Sequence, residues 1–346
     1  MKIRILLNSD GTGVSDTFIR KNILELEAAG HEISVVSGKT RGDAHAIYTG
    51  FSSSMWRLKL VRLGAFLLYI PRFRDRFNAF EMQIRQNHAF RRLKRSHLPP
   101  ADFIVVEYGM CAVVAKRFLL SQNTPFSINY HGIDATKWLH YPFYAKAIVE
   151  LQPQFHFVPS HHLRRRLELV GVDHQDIHVS PHDAQAAQEV ESQERSVPFD
   201  FIAIGRMVQK KCPQALVLAM ARVVKIHPEA SLALVGDGEE APIVQRLIQL
   251  NGLQKNIHML GALNHQETLK LLCNARIFVQ HSVTSGDGDQ EGFPVAISEA
   301  MLHRKPTIST IHSGISEAVI DGTTGYLVQE HDFETFAERM TLLLDS

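Results

Sequence analysis

Short apolar runs alternate with segments of helical period along almost the whole chain, and no other feature restricts the fold as much. Ile3 to Asn8 reads as a buried strand. Ile19, Ile23 and Leu26 then recur at helical spacing until Gly30 supplies a stop, and Glu32-Ile33-Ser34-Val35-Val36 returns to strand. The loop between them, Ser9-Asp10-Gly11-Thr12-Gly13-Val14, is tight, with Ser15 placed to cap the helix. Further strands are expected at Phe103-Ile104-Val105-Val106, Ser127-Ile128-Asn129-Tyr130 and Phe155-His156-Phe157-Val158. A second series follows at Phe201-Ile202-Ala203-Ile204, Leu232-Ala233-Leu234-Val235, Ile257-His258-Met259-Leu260, Ile277-Phe278-Val279 and Thr307-Ile308-Ser309. Strands joined through helices pair in parallel and are covered on both faces.

The expected fold class is therefore α/β, with two Rossmann-like domains whose strands end at a central cleft. Residues 1–183 form the first domain, with a basic helical insertion at about 55–97. A polar stretch without apolar period, 184–198, is the linker, and 199–346 is the second domain. The chain's 346 residues suit this division at ~150 residues per domain. Its 45% apolar and 21% charged residues exclude a disordered or collagen-like chain.

A net charge of +1 argues against a nucleic-acid partner. The charge is unevenly spread, because Arg57 to Arg95 holds eleven Lys and Arg against Asp75 and Glu81. With Trp56, Leu58, Val61, Phe66, Leu67, Leu68 and Tyr69 among those cations, the segment reads either as a surface for an anionic membrane or as a solvated helix pair. Three cysteines without a Cys-x-x-Cys point to a reducing cytoplasm. No signal peptide or membrane span is expected: the N-terminal apolar run is short, and Leu58–Ile70 is broken by Lys59 and Arg62.

Several loops carry residues with chemistry. Gly205-Arg206-Met207-Val208-Gln209-Lys210-Lys211 follows a strand, and Pro213 suits the first turn of the next helix. Arg206 and Lys211 can there grip a diphosphate with helix N–H groups, or be ordinary surface cations. Gly236-Asp237-Gly238 either lets backbone approach a ligand or forms a turn. In Glu291-Gly292-Phe293-Pro294-Val295-Ala296-Ile297-Ser298-Glu299, the first glutamate sits on a loop and the second more than one turn into a helix. Glu299 lies among apolar residues, where an ionised group is costly unless it accepts hydrogen bonds, as from a ribose diol.

This order of pieces resembles the Glu-(seven residues)-Glu motif of retaining GT-B glycosyltransferases, specifically glycosyltransferase family 4. Ser313-Gly314-Ile315-Ser316-Glu317 and Asp321-Gly322-Thr323-Thr324-Gly325-Tyr326-Leu327-Val328 extend the likeness. In the first half, Ser15-Asp16-Thr17-Phe18-Ile19 and Tyr130-His131-Gly132-Ile133-Asp134 look like segments of members that build bacterial exopolysaccharides of the colanic-acid type.

The resemblance implies a role for each matching residue. Arg206 and Lys211 would bind the donor diphosphate and stabilise charge on the leaving group. Glu291 would contact the donor sugar and Glu299 the ribose, with Gly292 and Phe293, just before Pro294, offering backbone N–H groups. Asp237 and Gly238 would belong to the donor loop. His131 would lie near the donor sugar and scissile bond, and Gly13 in the loop facing diphosphate and acceptor.

The implied activity is hexosyl transfer from a nucleotide sugar, such as a UDP sugar, to a glycan or lipid-linked acceptor. The product would belong to a cell-surface exopolysaccharide or lipopolysaccharide. No metal or cofactor is expected, and the location implied is cytoplasmic, peripheral at the inner face of the plasma membrane. The chain departs from the family at His182-Asp183-Ala184-Gln185, where a glycine-containing turn is usual, and in stopping at Leu344-Asp345-Ser346. Three other readings compete. An Asp287-x-Asp289 metal site is one; the others are a nucleotide-sugar epimerase or hydrolase, and an inactive sugar-nucleotide-binding scaffold. Gly11-x-Gly13-x-x-Asp16 lacks the last small residue of a dinucleotide fingerprint. His161-His162 point about 100° apart on a helix and cannot chelate as an i,i+4 pair would.

Overall fold

Each expected strand forms, and the strands pair in parallel throughout the described residues. The computed structural model describes residues 1–7, 17–37, 46–48, 71–181 and 199–346. Two compact units result, Met1–Pro181 and His182–Ser346.

In the first unit the elements run β1 (Lys2–Leu7), α1 (Thr17–Ala28), β2 (Glu32–Ser37), β3 (Ala46–Tyr48), α2 (Pro71–Arg95), β4 (Phe103–Glu107), α3 (Gly109–Leu119), β5 (Phe126–Asn129), α4 (Pro142–Leu151), β6 (Phe155–Val158), α5 (His161–Leu169) and β7 (Ile177–Val179). The sheet order is β3-β2-β1-β4-β5-β6-β7. Central β1 pairs Ile5 with Val35 on one side and with Val105 on the other. From the basic segment the structure describes α2, which buries Met82, Ala89 and Leu93 in the core shared with α3. Phe80, Arg91, Arg92, Lys94 and Arg95 stay exposed. Gly109 opens α3 because nothing larger fits: a Cβ there would stand 2.3 Å from the Tyr144 hydroxyl and 2.7 Å from the Tyr130 ring.

The second unit continues with β8 (Phe201–Ile204), α6 (Pro213–Val223), β9 (Leu232–Val235), α7 (Ala241–Leu250), β10 (Ile257–Gly261), α8 (His265–Asn274), β11 (Ile277–Val279), α9 (Val295–Leu302), β12 (Thr307–Thr310), α10 (Ile315–Ala318), β13 (Gly325–Val328) and α11 (Phe333–Leu344). Its sheet order is β10-β9-β8-β11-β12-β13. The two faces are filled by alternate residues, as the strand period of two requires. Phe201, Leu232, Leu234 and Val279 pack under α6 and α11 with Leu216, Met220 and Phe336, whereas Ile202, Ala233 and Phe278 pack with Leu272, Ile297 and Ala300 of α8 and α9. Such double coverage explains why these strands are continuously apolar.

Strands β3, β7 and β13 were not among the expected ones. All three are edge strands; β7 buries only Ile177, and β13 begins on a glycine.

In each unit the strand order reverses next to the first strand, between β1 and β4 and between β8 and β11. Loops leaving the carboxyl ends of such a pair diverge to opposite faces and open a crevice.

Candidate functional site

The loops that leave β8 and β11 contain most of the residues singled out by sequence. After Ile204 the chain runs through Arg206 into a single 3₁₀ turn, Gln209–Lys211, and then Pro213 begins α6. Between them Cys212 takes a left-handed conformation, φ 37°, which costs a non-glycine residue roughly 1–2 kcal/mol. The turn directs Lys210 and Lys211 towards the β11 loop. Lys211 Nζ lies 3.0 Å from Glu291 Oε1. Lys210 Nζ donates at 3.1 Å to Asp289 Oδ1 and to the Gln290 carbonyl, while its own carbonyl accepts the Val283 N–H at 2.8 Å. Arg206 is exposed beside them and makes no ion pair among the described residues.

Glu291 is 6% exposed, and burial opposes its charge. The charges of Lys211 and Lys210, with the Lys211 hydrogen bond, overcome that and hold its carboxyl at about 2. Lys211 is drawn below the ordinary lysine range by burial, an effect that Glu291 resists. The pair is thus a desolvated, ionised one.

Its loop is braced from β12 and β13. His312, which is buried, accepts the Glu291 N–H on Nε2 at 3.1 Å, so its other ring nitrogen, Nδ1, can donate to Glu330 Oε1 at 2.6 Å. Glu330 Oε2 accepts the Thr284 N–H at 2.8 Å, and the Ser313 hydroxyl donates to the Glu291 carbonyl. Sequence reasoning passed over His312, Glu330 and Lys210. The only signal was adjacency, of His312 to the Ser313–Glu317 motif and of Lys210 to Lys211.

Pro294 caps α9, and Gly292 and Phe293 precede it. Their N–H groups take part in none of the backbone hydrogen bonds among the described residues. Glu299 lies on the buried side of α9, 5% exposed, and burial raises its carboxyl to about 7. Its nearest ionic partner among the described residues is the His265 ring, whose Nε2 is 3.6 Å from Oε1. That imidazole is itself pushed below the usual histidine value by burial. The two glutamates of the motif therefore sit in opposite electrostatic states.

At Gly236 and Gly238 the close approach is made by the chain's own backbone. A Cβ on Gly236, at φ 131°, would stand 2.0 Å from the Gly205 carbonyl oxygen, and one on Gly238, at φ 159°, 2.4 Å from the Met207 carbonyl oxygen. Both glycines admit the Gly205–Met207 backbone. Asp237 is exposed between them, its Oδ1 accepting the Gly238 N–H and its carbonyl the Met207 N–H. Gly236→Ala is expected to displace the Arg206 loop and cost upwards of about 1 kcal/mol. A urea melt with wild-type stability would contradict that.

No group of three or more His, Cys, Asp or Glu side chains among the described residues could hold a metal ion, Asp287 and Asp289 included. Asp287 Oδ1 takes the Ser285 hydroxyl at 2.6 Å, whereas Asp289 faces Lys210. The Asp321–Val328 stretch forms the turn into β13 at the opposite end of the strands. There Gly325 is required because a Cβ would meet the Thr307 carbonyl oxygen at 2.0 Å.

In the first unit, His131 follows β5 and its Nε2 is 2.8 Å from Glu107 Oε2. Asp134 Oδ1 accepts the N–H groups of His131 and Gly132. Gly13, Ser15, the segment 55–70, the linker 184–198 and His182–Gln185 lie outside the described residues.

Residues 185–346 match the family described as glycosyl transferases group 1, a description that does not separate family 4 from other members. WcaL of Salmonella typhimurium, a glycosyltransferase named for colanic acid biosynthesis, is 33% identical over 144 residues, 42% of this chain and 36% of WcaL. A mannosyltransferase of Corynebacterium glutamicum, named as GDP-mannose-dependent and acting on monoacylated alpha-(1-6)-phosphatidylinositol monomannoside, is 32% identical over 142 residues, 41% of this chain and 36% of its own. These matches thus span little more than a third of either relative. Anabaena HepE, solved with UDP and glucose, superposes on 100% of this chain and 90% of its own with a TM-score of 0.70 at 16% identity, a likeness of fold. The chain has the GT-B fold, and its residues 185–346 match the group 1 glycosyl transferase family.

Proposed function

We propose that the protein is a retaining glycosyltransferase of the family 4 type, moving a sugar from a nucleoside diphosphate to a glycan or lipid-linked acceptor in cell-surface polysaccharide assembly. One observation carries this reading. At the strand reversal of the second unit, a buried glutamate is ion-paired to Lys211, and eight positions on a second buried glutamate, at about 7, lacks a strong partner. A ribose diol supplies the two donors that Glu299 needs to ionise. The diphosphate then falls to Arg206 and Lys211, and Glu291, Gly292 and Phe293 face the sugar.

In the transfer, the acceptor hydroxyl oxygen bonds to the anomeric carbon while the bond from that carbon to the β-phosphate oxygen breaks. The hydroxyl proton passes to the departing phosphate on the same face, so configuration is retained. Lys211 and Arg206 offset the negative charge that grows on the leaving group, and ionised Glu291 offsets the positive charge at the sugar. Metal is not needed in this scheme, since lysine and arginine take the charge-neutralising role and Lys210 already occupies Asp289.

The names of the relatives favour these substrates: WcaL for the polysaccharide, the mannosyltransferase for a lipid-borne acceptor, HepE for a UDP-linked donor. Calorimetric titration with UDP, GDP, ADP and TDP tests the reading and selects the base. Micromolar binding of one of them, unchanged by EDTA, is expected; binding of none overturns the assignment, and loss in EDTA overturns the metal-independent scheme.

The basic segment 57–95 is proposed to rest on the anionic cytoplasmic face of the membrane, presenting Phe80, Arg91, Arg92, Lys94 and Arg95 of α2. No helix among the described residues is long and apolar enough to cross a membrane. Preferential co-sedimentation with anionic over neutral liposomes is expected, and equal sedimentation would refute the contact.

A further inference from the structure

We infer that His265 is a specificity-determining residue, holding one ribose hydroxyl against Glu299 and so selecting ribonucleoside over deoxyribonucleoside diphosphates; this rests on the ribose reading of Glu299 given above. Both residues belong to the second unit. His265 opens α8 and Glu299 lies within α9, and the two helices cover one face of the sheet, where Leu269 and Leu272 pack with Ile297 and Ala300. The start of α8 is held firmly. Asn264 Oδ1 accepts the Glu267 N–H at 2.9 Å, Glu267 Oε2 accepts the Asn264 N–H at 3.3 Å, and the Thr268 hydroxyl donates to the Asn264 carbonyl at 2.8 Å. This capping box fixes His265 as the first helical residue.

Two polar groups face each other there without a hydrogen bond. His265 Nε2 is buried and has no hydrogen-bond partner among the described residues. Glu299 is 5% exposed, and burial raises its carboxyl with no hydrogen bond or cation to oppose it. The gap from Nε2 to Oε1 is 3.6 Å, against the roughly 2.7–2.9 Å of a closed charge-assisted hydrogen bond. Formation of an ion pair would lower the acid and raise the base, whereas burial moves both groups the other way.

One kind of ligand atom satisfies both groups. An ionised carboxylate only accepts and an Nε2–H only donates, so the atom that bridges them must donate to one and accept from the other. A phosphate oxygen is repelled by Glu299, and an ammonium has no lone pair for the Nε2 proton. A hydroxyl donates to Oε1 and accepts from Nε2–H. The ring suits this role as a neutral imidazole, because burial draws it below the usual histidine value. A deoxyribose lacking that hydroxyl leaves both protein groups buried and unpaired, which is the arrangement that rejects an analogue most strongly.

Calorimetric titration of the full chain with UDP, GDP and ADP, each beside its 2′-deoxy and 3′-deoxy analogues, tests the inference. In the wild type, loss of the clamped hydroxyl is expected to weaken binding about tenfold or more. His265→Phe is expected to weaken the parent nucleotide, and the analogue that keeps this hydroxyl, by about five- to tenfold. The analogue without it should bind the variant and the wild type alike. His265→Gln, which returns an N–H donor at the distance of Nε2, is expected to recover most of the loss, an effect that a merely structural role would not give. His265→Ala makes the same prediction as His265→Phe and replaces it should the phenylalanine variant fold poorly. Wild-type affinity for the parent nucleotide in these variants, or an equal loss for parent and both analogues, overturns the inference and leaves the ribose on Glu299. A wild type that binds the parent and both analogues equally overturns the ribose reading itself.

Discussion

Replacing Lys211 with alanine is expected to lower kcat about 10²–10³-fold and to destabilise the protein by about 3–5 kcal/mol. Both effects follow from one distance, the 3.0 Å between Nζ and Glu291 Oε1. Without the ammonium, a glutamate that is 6% exposed keeps its charge and loses its nearest counter-ion. Lys210 is a poor substitute, because two of its three donors already serve Asp289 and the Gln290 carbonyl at 3.1 Å each. The loss in rate has a separate origin, namely the charge on the departing diphosphate. A second substitution separates the two, since Lys211→Ala with Glu291→Gln is expected to recover most of the stability and none of the activity. Urea melts and initial rates on the double-mutant cycle measure this.

The acid limb of the stability curve reports the same pair. Glu291 moves from an ordinary value of 4.5 to about 2 on folding, so its contribution is fully present above pH 4.5 and disappears as the pH falls through about 2. Lys211→Ala is expected to flatten that limb. Wild-type stability together with wild-type kcat in the single variant would remove the ion pair from the mechanism.

Glu299→Gln is expected to make the unliganded protein more stable above pH 7, by up to about 3 kcal/mol, and to weaken nucleoside diphosphate binding about tenfold. Burial raises this carboxyl from 4.5 to about 7, the reverse of Glu291. Between those values the folded state binds more protons than the unfolded one, so stability falls as pH rises from about 4.5 to about 7, and the penalty is complete above 7. A neutral amide escapes it. The ribose diol, however, hydrogen-bonds best to an ionised carboxylate, so nucleotide affinity in the wild type should climb with pH up to about 7 and then level off. Binding below pH 7 should release a proton, detectable by calorimetry in buffers of different ionisation enthalpy. In Glu299→Gln that climb and that proton should both vanish. If they persist, another group is responsible and Glu299 does not hold the ribose.

These two glutamates mark how far a linear reading reaches. The loop position of Glu291, the helical position of Glu299 and its apolar neighbours were legible, because each depends on residues within a turn or two. So were the strands Phe201–Ile204, Leu232–Val235 and Ile277–Val279, whose unbroken apolar runs follow from burial on both sheet faces. Pro213 at the start of α6 and Gly30 after α1 were legible for the same local reason. The short edge strand β7 was not, since an edge strand with one buried residue leaves almost no periodic trace.

The partners within the site were decided by the tertiary structure alone. Lys210 and Asp289 are 79 residues apart, and Gly205 and Gly236 meet carbonyl to Cα only because β8 and β9 are neighbours. The approach of Gly236 and Gly238 to the Gly205–Met207 backbone was out of reach of the sequence for that reason, as were the His312–Glu330 brace and the Glu107–Asn129–His131 cluster. Side-chain chemistry and local period are carried by each short stretch of sequence. Which stretches become neighbours depends on strand order and register, which arise from packing whole βα units against one another, so the pairings that set the charge of Glu291 and the orientation of His131 exist only once both sheets are assembled.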